Sequence, residues 1–136
     1  MRPLVETLNL SKLYDGTEAL KNVNVEVNRG EVLAVVGPSG SGKTTLLRLM
    51  NLLETPSSGQ ILFDGRDTAC SDADRLTLRR RMGMVFQQAV LFNETVYENI
   101  AYPLKIRGYL KKKSDLKVRD ALKLVGLSGF EKKRAT

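Results

Sequence analysis

The sequence has 136 residues, of which 42% are hydrophobic and 27% charged, values typical of a globular domain long enough to bury a core. No apolar run reaches the roughly 18 residues that a membrane-spanning helix needs, and the first residues lack the apolar stretch of a signal peptide. One cysteine and no histidine exclude an internal disulfide and favour Cys70 as a bystander in a reducing cytosol rather than a nucleophile.

Positive charge is concentrated in the last quarter of the sequence. The formal net charge is +7, and residues 105–136 hold eleven of the 22 Lys and Arg residues but three of the 15 acids. Such a segment is either an electrostatic surface for nucleic acid or anionic lipid, or a solvated helical face. We favour the solvated face and expect no nucleic-acid partner, because aromatic residues do not interleave with the lysines as a stacking platform requires.

The first half of the chain is predicted to be mainly β-structure. Alternating apolar residues predict strands at residues 4–10 and 19–27, with a turn at residues 14–16 between them. The apolar run 32–36 predicts a buried parallel strand. A helix is expected at residues 46–53, after a glycine-rich segment.

The next segment alternates short elements. A proline- and serine-rich stretch ends the first helix, and residues 60–63 predict a strand followed by a tight turn at residues 64–65. Residues 71–80 predict a helix capped by Ser71, since Asp74 follows three positions later. Residues 82–86 predict a second buried strand.

The last third is predicted to be helical. Residues 95–107 carry apolar side chains at helical spacing, with Asn93 or Thr95 as the N-terminal cap. Residues 114–125 predict a further helix, capped by Ser114.

The glycine-rich segment between residues 32–36 and the first helix matches the phosphate-binding pattern G-x-x-x-x-G-K-[ST]. Its residues are Gly37, Pro38, Ser39, Gly40, Ser41, Gly42, Lys43 and Thr44, followed by Thr45. A strand, a glycine-rich turn and a helix N-terminus direct backbone N–H groups and the positive end of the helix dipole at an anion. Lys43 is expected to reach the β- and γ-phosphates, and Thr44 to bind Mg²⁺ through its hydroxyl. The alternative, a chance glycine-rich turn, is disfavoured because the flanking pattern agrees.

Four other segments stand at characteristic distances from this loop. They are residues 13–16 with Ala19 and Leu20, residues 57–65, residues 82–87, and residues 91–92 with residues 95–100. With them the whole sequence resembles the N-terminal part of the nucleotide-binding subunit of an ATP-binding cassette (ABC) transporter. The resemblance implies an α/β P-loop NTPase (RecA-like) core with an antiparallel β subdomain and the start of an α-helical subdomain, an incomplete ABC ATPase domain. Residues 1–87 would form the ATP-binding core, and residues 88–136 the exit from the Q-loop and part of the helical subdomain.

The resemblance also implies roles for individual residues. Tyr14 would stack on the adenine ring of ATP, which needs a flat aromatic surface; otherwise it is a half-buried tyrosine at a strand end. Gln87 would contact Mg²⁺ or the attacking water; otherwise it caps the end of a strand. Gln88 fits the pattern less well, because the family's glutamine directly follows the aromatic residue of the strand, which is Phe86 in this sequence. Residues 89–92 would dock a coupling helix of the membrane permease, or seal the helical part against the core.

Three elements of the family's composite site are missing from the 136 residues. There is no LSGGQ-like signature, no apolar strand ending in Asp-Glu and no histidine to act as switch; residues 127–130 lack the second glycine and come too early. We therefore interpret the chain as a fragment of a transport ATPase that works as a dimer of ATPase subunits on the cytoplasmic face of the cell membrane. Alone, it is expected to bind Mg-ATP weakly, if at all, and to hydrolyse it negligibly.

Other functions stay open at this point. A non-transport ABC ATPase, such as a translation or DNA-repair factor, and a truncated, non-enzymatic nucleotide-binding or interaction module both fit the motifs; a small-molecule kinase fits less well. The transporter resemblance favours import of a small polar solute, either an oxyanion such as phosphate, tungstate or molybdate, or an amino acid.

Overall fold

The computed structural model describes residues 2–88 and 90–136, and these residues pack as two units that divide between Met84 and Val85. Across those residues, no helix combines the length and apolar character needed to cross a membrane. The predicted functional division into residues 1–87 and 88–136 remains a prediction, since packing alone does not say which residues hold a nucleotide.

A four-stranded antiparallel sheet forms the frame of the first unit. Its strands are β1 (Val5–Tyr14), β2 (Thr17–Val27), β3 (Ser58–Phe63) and β4 (Arg66–Asp67), and their order in the sheet is β2-β1-β3-β4. The three strands predicted at residues 4–10, 19–27 and 60–63 are confirmed, and the first extends to Tyr14.

Both predicted tight turns of this sheet are confirmed. Asp15 and Gly16 join β1 to β2 with φ of 48° and 80°, and Asp64 and Gly65 join β3 to β4 with φ of 54° and 73°. Two-residue hairpin turns with positive φ at both positions match the twist of the flanking strands, which explains the Asp-Gly sequence at each.

The first helix, α1 (Lys43–Met50), packs on the sheet. The core it forms with the strands is fully apolar and comprises Leu10, Leu20, Leu46, Leu49, Leu52 and Ile61. The helix stops earlier than the predicted residue 53, because the chain turns at Leu52, which has a φ of 57°. This turn directs the Leu52 side chain into the core, where it is 2% exposed.

A second helix, α2 (Asp72–Arg79), has the predicted cap. The Ser71 hydroxyl accepts a hydrogen bond of 3.3 Å from the backbone N–H of Asp74. The helix therefore begins where the sequence pattern placed it.

The prediction of a buried parallel strand at residues 32–36 is wrong for this structure. These residues form no strand, and the side chains of Val32 and Val36 are 95% and 89% exposed. A strand exists only where a neighbour accepts and donates its backbone hydrogen bonds, and the described residues provide no such neighbour here.

The predicted buried strand at residues 82–86 is also absent. Met82 packs against the core of the first unit, but Val85 is 97% exposed and the segment forms no ladder with any described residue. An apolar run suits a buried strand, but it does not itself supply the neighbouring strand with which it must pair.

The second unit contains two packed helices, α3 (Val96–Ile106) and α4 (Lys111–Leu124). Their contact is centred on Ala101, Val118 and Leu122, each exposed by 1% or less. Of the two predicted caps for the first of these helices, Thr95 is confirmed, since its hydroxyl accepts from the N–H of Glu98 at 3.1 Å.

The start of α3 is completed by the last residues of the chain. The N–H groups of Val96 and Tyr97 donate to the carbonyls of Lys133 and Glu131 at 2.9 and 3.0 Å, and Ala135 donates to Glu94 at 3.1 Å. These bonds satisfy N–H groups that have no acceptor within the helix.

The predicted cap of α4 is wrong. The helix begins one turn earlier, at Lys111, with Leu110 in the cap position and no side-chain cap. The N–H of Ser114 already bonds to the carbonyl of Leu110 at 3.0 Å, so Ser114 lies inside the first turn, 2% exposed, with no hydrogen-bond partner for its hydroxyl among the described residues.

Three of the lysines in the basic segment contact an aromatic ring, and the ammonium group of one of them, Lys133, lies 3.8 Å from the ring centroid of Phe130. The ammonium groups of Lys113 and Lys117 lie 5.2 and 5.5 Å from the ring centroid of Tyr109. These cation–π contacts are made within the unit, so the premise that aromatic residues do not interleave with the lysines is wrong at Tyr109 and Phe130. The interpretation of residues 105–136 as a solvated helical face remains a prediction.

One polar contact joins α3 to α4 and should depend on pH. The Tyr97 hydroxyl donates to the Asp115 carboxylate at 2.5 Å, and this bond, with partial burial, raises the pKa of Tyr97 above its usual 10.0. Tyr97→Phe is expected to lower the free energy of unfolding by about 1 kcal/mol at neutral pH, measured by urea denaturation. Because the folded-state pKa is raised, the contribution is complete below pH 10 and lost as the pH rises through the folded value.

Tyr102→Phe is the matched control, because it removes a hydroxyl from a side chain that is 47% exposed on the same helix. Equal stability of the two variants at neutral pH, or a difference from wild type that persists unchanged well above pH 10, would contradict the assigned bond.

Candidate nucleotide-binding site

The glycine-rich loop leads directly into α1. Gly42 is the N-cap residue, with a φ of 85°, and makes no side-chain cap because it has no side chain. The first hydrogen bond within the helix is from Leu46 to the carbonyl of Gly42 at 2.9 Å. The N–H groups of Lys43, Thr44 and Thr45 precede it and therefore have no acceptor within the helix, which leaves the N-terminus suited to an anion.

The ammonium group of Lys43 lies inside the loop. It donates to the carbonyls of Gly37 and Pro38 at 2.8 and 2.6 Å and to the Ser41 hydroxyl at 3.2 Å. A further bond from the N–H of Ser41 to the carbonyl of Pro38 tightens the turn. The three donors of the ammonium group thus hold the loop closed, and a phosphate oxygen would bind by replacing one or more of these acceptors.

Gly42 fixes the position of the loop on the sheet. A Cβ atom at this residue would lie 2.5 Å from the carbonyl oxygen of Ala19 and 2.8 Å from a methyl carbon of Leu20. Both neighbours belong to β2, and the first is backbone that cannot move aside freely. The second fixed glycine of the motif is therefore required for packing as well as for its positive φ.

Thr44 and Thr45 differ in their surroundings. Thr44 is exposed and Thr45 is half-buried. Among the described residues no group of three His, Cys, Asp or Glu side chains could hold a metal ion. Mg²⁺ bound to a nucleotide needs one or two protein oxygens besides phosphate and water, so the exposed Thr44 hydroxyl fits this limited role.

Tyr14 lies at the end of β1, and its side chain is 40% exposed. Its hydroxyl donates to the Glu54 carboxylate, and the ammonium group of Lys12 lies 5.0 Å from its ring centroid. The bond to Glu54 is the main cause that raises the pKa of Tyr14, and desolvation adds to it. Tyr14 therefore lies beside the turn that follows α1.

Gln87 belongs to the other unit. It lies in a bend directly after Phe86 and is exposed, as is Gln88. Its expected role at Mg²⁺ or the attacking water stays a prediction. Ala89 lies outside the described residues, so the predicted docking segment 89–92 is represented by Val90, Leu91 and Phe92, which are 81%, 47% and 49% exposed.

Sequence reasoning missed two charged residues next to Tyr14. Glu54 accepts the Tyr14 hydroxyl, and Arg48 donates to the same carboxylate at 3.4 Å. Glu54 is forty positions from Tyr14 along the chain, and no local pattern marks such a pairing. Only the fold brings the end of β1 to the turn that follows α1.

Comparison with curated proteins gives extensive similarity. The family described as ABC transporter matches residues 20–136. The methionine import ATP-binding protein MetN of Mannheimia succiniciproducens is 42% identical over 131 residues, which is 92% of this chain and 38% of that protein. MetN 2 of Bacillus cereus is 45% identical over 125 residues, 88% of this chain and 37% of that protein. The chain thus spans well under half the length of the curated relatives it matches.

Solved structures show the same likeness in three dimensions. The structure of cbiO1 from Clostridium perfringens, part of the complex cbiONQ, is 34% identical with a TM-score of 0.86, covering 98% of this chain and 55% of that one. The cassette MJ0796, in a dimeric post-hydrolysis state with ADP and Pi, is 32% identical with a TM-score of 0.85, covering 96% and 61%. These likenesses confirm the predicted α/β P-loop NTPase fold with an antiparallel sheet and helices, present in its N-terminal part.

Substitution of the two left-handed glycines of the loop should separate backbone strain from packing. Gly40 has a φ of 80° with open space around a Cβ position, whereas Gly42 combines a φ of 85° with the short approach to β2. Gly40→Ala is expected to cost about 1 kcal/mol of unfolding free energy, and Gly42→Ala roughly 1–3 kcal/mol more through overpacking. Urea denaturation of both variants measures the difference, and equal losses would show that the approach to β2 does not constrain the loop.

Proposed function

Because this chain belongs to the ABC transporter family, we propose that it is part of an ATP-binding subunit that couples the binding and hydrolysis of Mg-ATP to solute import. The observation that carries the proposal is the closed loop of residues 37–45. It directs the N–H groups at the start of α1 and the ammonium group of Lys43 to one place. Such an arrangement recognises phosphate oxygens by fixed dipoles and a positive charge.

Each predicted site residue takes a distinct role in this proposal. Lys43 binds the β- and γ-phosphates, and Thr44 contributes a hydroxyl to Mg²⁺, which neutralises charge on the phosphates when bound. Tyr14 stacks on adenine through its exposed ring face. Gln87 orients the attacking water or contacts Mg²⁺ through its neutral amide, which adds no charge to the site.

Hydrolysis needs groups that these 136 residues do not contain. The chain has no histidine, no LSGGQ-like run and no apolar strand ending in Asp-Glu. Phosphoryl transfer depends on placing several charges and a water around the γ-phosphate, and Lys43 and Thr44 provide part of that set. We infer that this chain binds Mg-ATP weakly and turns it over negligibly, while the ATPase activity belongs to an assembly of two ATPase subunits.

The relatives favour one substrate class over the other. The curated proteins compared above are named for methionine import, which supports an amino acid rather than an oxyanion as the imported solute. We propose that the subunit works at the cytoplasmic face of the membrane with an integral permease. The exposed apolar side chains of Val90, Leu91 and Phe92 are a suitable contact for it, because exposed apolar clusters mark interaction sites.

Lys43→Ala tests the phosphate site directly. The loss of a charge-assisted contact should weaken binding of a fluorescent ATP analogue roughly tenfold or more. Lys21→Ala is the matched control, since it removes an exposed lysine that pairs with Glu18 at 3.3 Å. Phosphate release by the wild-type chain should stay at background, and steady turnover that Lys43→Ala abolishes would refute the assignment of hydrolysis to the larger assembly.

Affinity capture tests the transporter assignment against the other two functions. The tagged chain should recover an integral membrane permease from detergent-solubilised membranes, and recovery should change when ATP is added. Recovery of ribosomal or DNA-bound complexes instead would favour a non-transport ABC ATPase. Recovery of the permease that is indifferent to ATP would favour an interaction module without a nucleotide cycle.

A further inference from the structure

We propose that Glu54 is a positioning residue that holds the Tyr14 ring as a base-stacking surface at a fixed place relative to the phosphate loop. The proposal rests on the proposed function, in which Tyr14 stacks on adenine. In this proposal the Glu54 carboxylate contacts neither the base nor the phosphates. It affects nucleotide binding only by holding Tyr14 in place. A cluster of contacts at the turn end of the β1–β2 hairpin supports this role.

The Glu54 carboxylate has three partners. It accepts the Tyr14 hydroxyl, lies 3.4 Å from the Arg48 guanidinium and lies 4.0 Å from the Lys12 ammonium. The side chains of Glu54 and Lys12 are only 20% and 17% exposed. Two cations thus lie beside one largely shielded carboxylate, and a carboxylate acceptor makes a stronger hydrogen bond to a hydroxyl than a neutral acceptor does.

The backbone that carries Glu54 is itself held in place. Arg75 of α2 donates to the carbonyls of Glu54 and Leu52 at 3.2 and 3.4 Å. Lys12 donates to the carbonyl of Thr55 at 2.8 Å. The acceptor for Tyr14 is therefore fixed at both its side chain and its main chain.

The two contacts of Tyr14 restrict different motions of the ring. The bond to Glu54 holds the hydroxyl end, and the Lys12 ammonium, 5.0 Å from the centroid, lies over one face. A base can therefore stack only on the opposite face. A surface restricted in this way loses less conformational freedom when a base binds, which strengthens binding.

The same cluster connects the ring to the phosphate site. Arg48 belongs to α1, the helix that begins at the phosphate loop, and its guanidinium contacts the same Glu54 carboxylate that accepts the Tyr14 hydroxyl. The ring and the loop are thus attached to one helix. A ligand with both a base and phosphates gains from this fixed spacing, whereas a ligand with phosphates alone does not.

The binding test compares two ligands. Glu54→Ala is expected to weaken binding of Mg-ATP about threefold to tenfold, while binding of Mg-tripolyphosphate, measured by displacement of a fluorescent nucleotide, changes less than about twofold. Glu54→Gln, whose amide oxygen still accepts a hydrogen bond, should recover part of the loss. Glu18→Ala is the matched control: Glu18 pairs in register with Leu13, next to Tyr14, but its carboxylate contacts Lys21.

A double-mutant cycle identifies the route of the effect. Tyr14→Phe keeps the ring and removes the hydroxyl, so it should weaken ATP binding as much as Glu54→Ala does. The double variant should then lose no more than either single variant, because both remove the same interaction. Additive losses would overturn the proposal, since Glu54 would then act independently of Tyr14.

A titration tests the contact without any nucleotide. With ¹³C-labelled tyrosine, NMR should show that Tyr14 ionises above its usual pKa of 10.0 and that Glu54→Ala lowers the value towards it. Tyr97, whose raised pKa depends on Asp115, is the internal control and should not change. An unchanged Tyr14 titration in Glu54→Ala would overturn the proposal at its first step.

The outcomes of these experiments distinguish a failure of the positioning role of Glu54 from a failure of adenine stacking by Tyr14. If Tyr14→Ala leaves ATP affinity unchanged, adenine stacking fails and the positioning role fails with it. If Tyr14→Ala weakens ATP binding but Glu54→Ala does not, stacking stands and positioning is overturned. Equal losses for ATP and tripolyphosphate in Glu54→Ala would show a general structural role and would also overturn it.

Discussion

The close approach of Gly42 to β2 is the constraint on which the rest of the first unit depends. It brings the start of α1 against the backbone of Ala19 with no room for a side chain. From that point the helix runs across the sheet and buries Leu46 and Leu49 against Leu10. The same helix thus contributes to the core and begins at the phosphate loop. The end of the loop is therefore attached to a closely packed, rigid apolar interface.

Charged groups complete what this packing begins. Lys43 donates to two carbonyls and a hydroxyl of the loop, so its positive charge helps to hold the shape of the loop. Beyond the other end of α1, the Glu54 carboxylate contacts Arg48, Lys12 and Tyr14. One helix therefore connects the Lys43 ammonium group, which suits a phosphate, to the Tyr14 ring, which suits a base. A site with this connection can recognise a ligand that contains both a base and phosphates.

The two apolar segments that form no strand show what a pattern can and cannot predict. Residues 32–36 and 82–86 carry the β-branched and apolar composition of buried strands, yet Val32, Val36 and Val85 are almost fully exposed. Composition describes the environment that a segment suits. A strand also needs a neighbour for its backbone groups, and no described residue supplies one for either segment.

Local signals were sufficient wherever the cause was local. The sequence by itself determined the Asp-Gly turns, the cap at Ser71 and the phosphate motif, because each depends on residues within a few positions of one another, and it limited the cap of α3 to Asn93 or Thr95. The resemblance to the ABC family depends on the order and spacing of several such segments, which the sequence also contains. The cap predicted at Ser114 was wrong because serine is a common capping residue but its presence does not show where the helix begins. Here the helix begins one turn earlier, at Lys111. Only the tertiary structure decided that Gly42 must lack a side chain against β2, that Tyr14 meets Glu54, and that the end of the chain closes the start of α3. Those contacts join residues that are far apart in the sequence, and only the folded chain brings them within bonding distance.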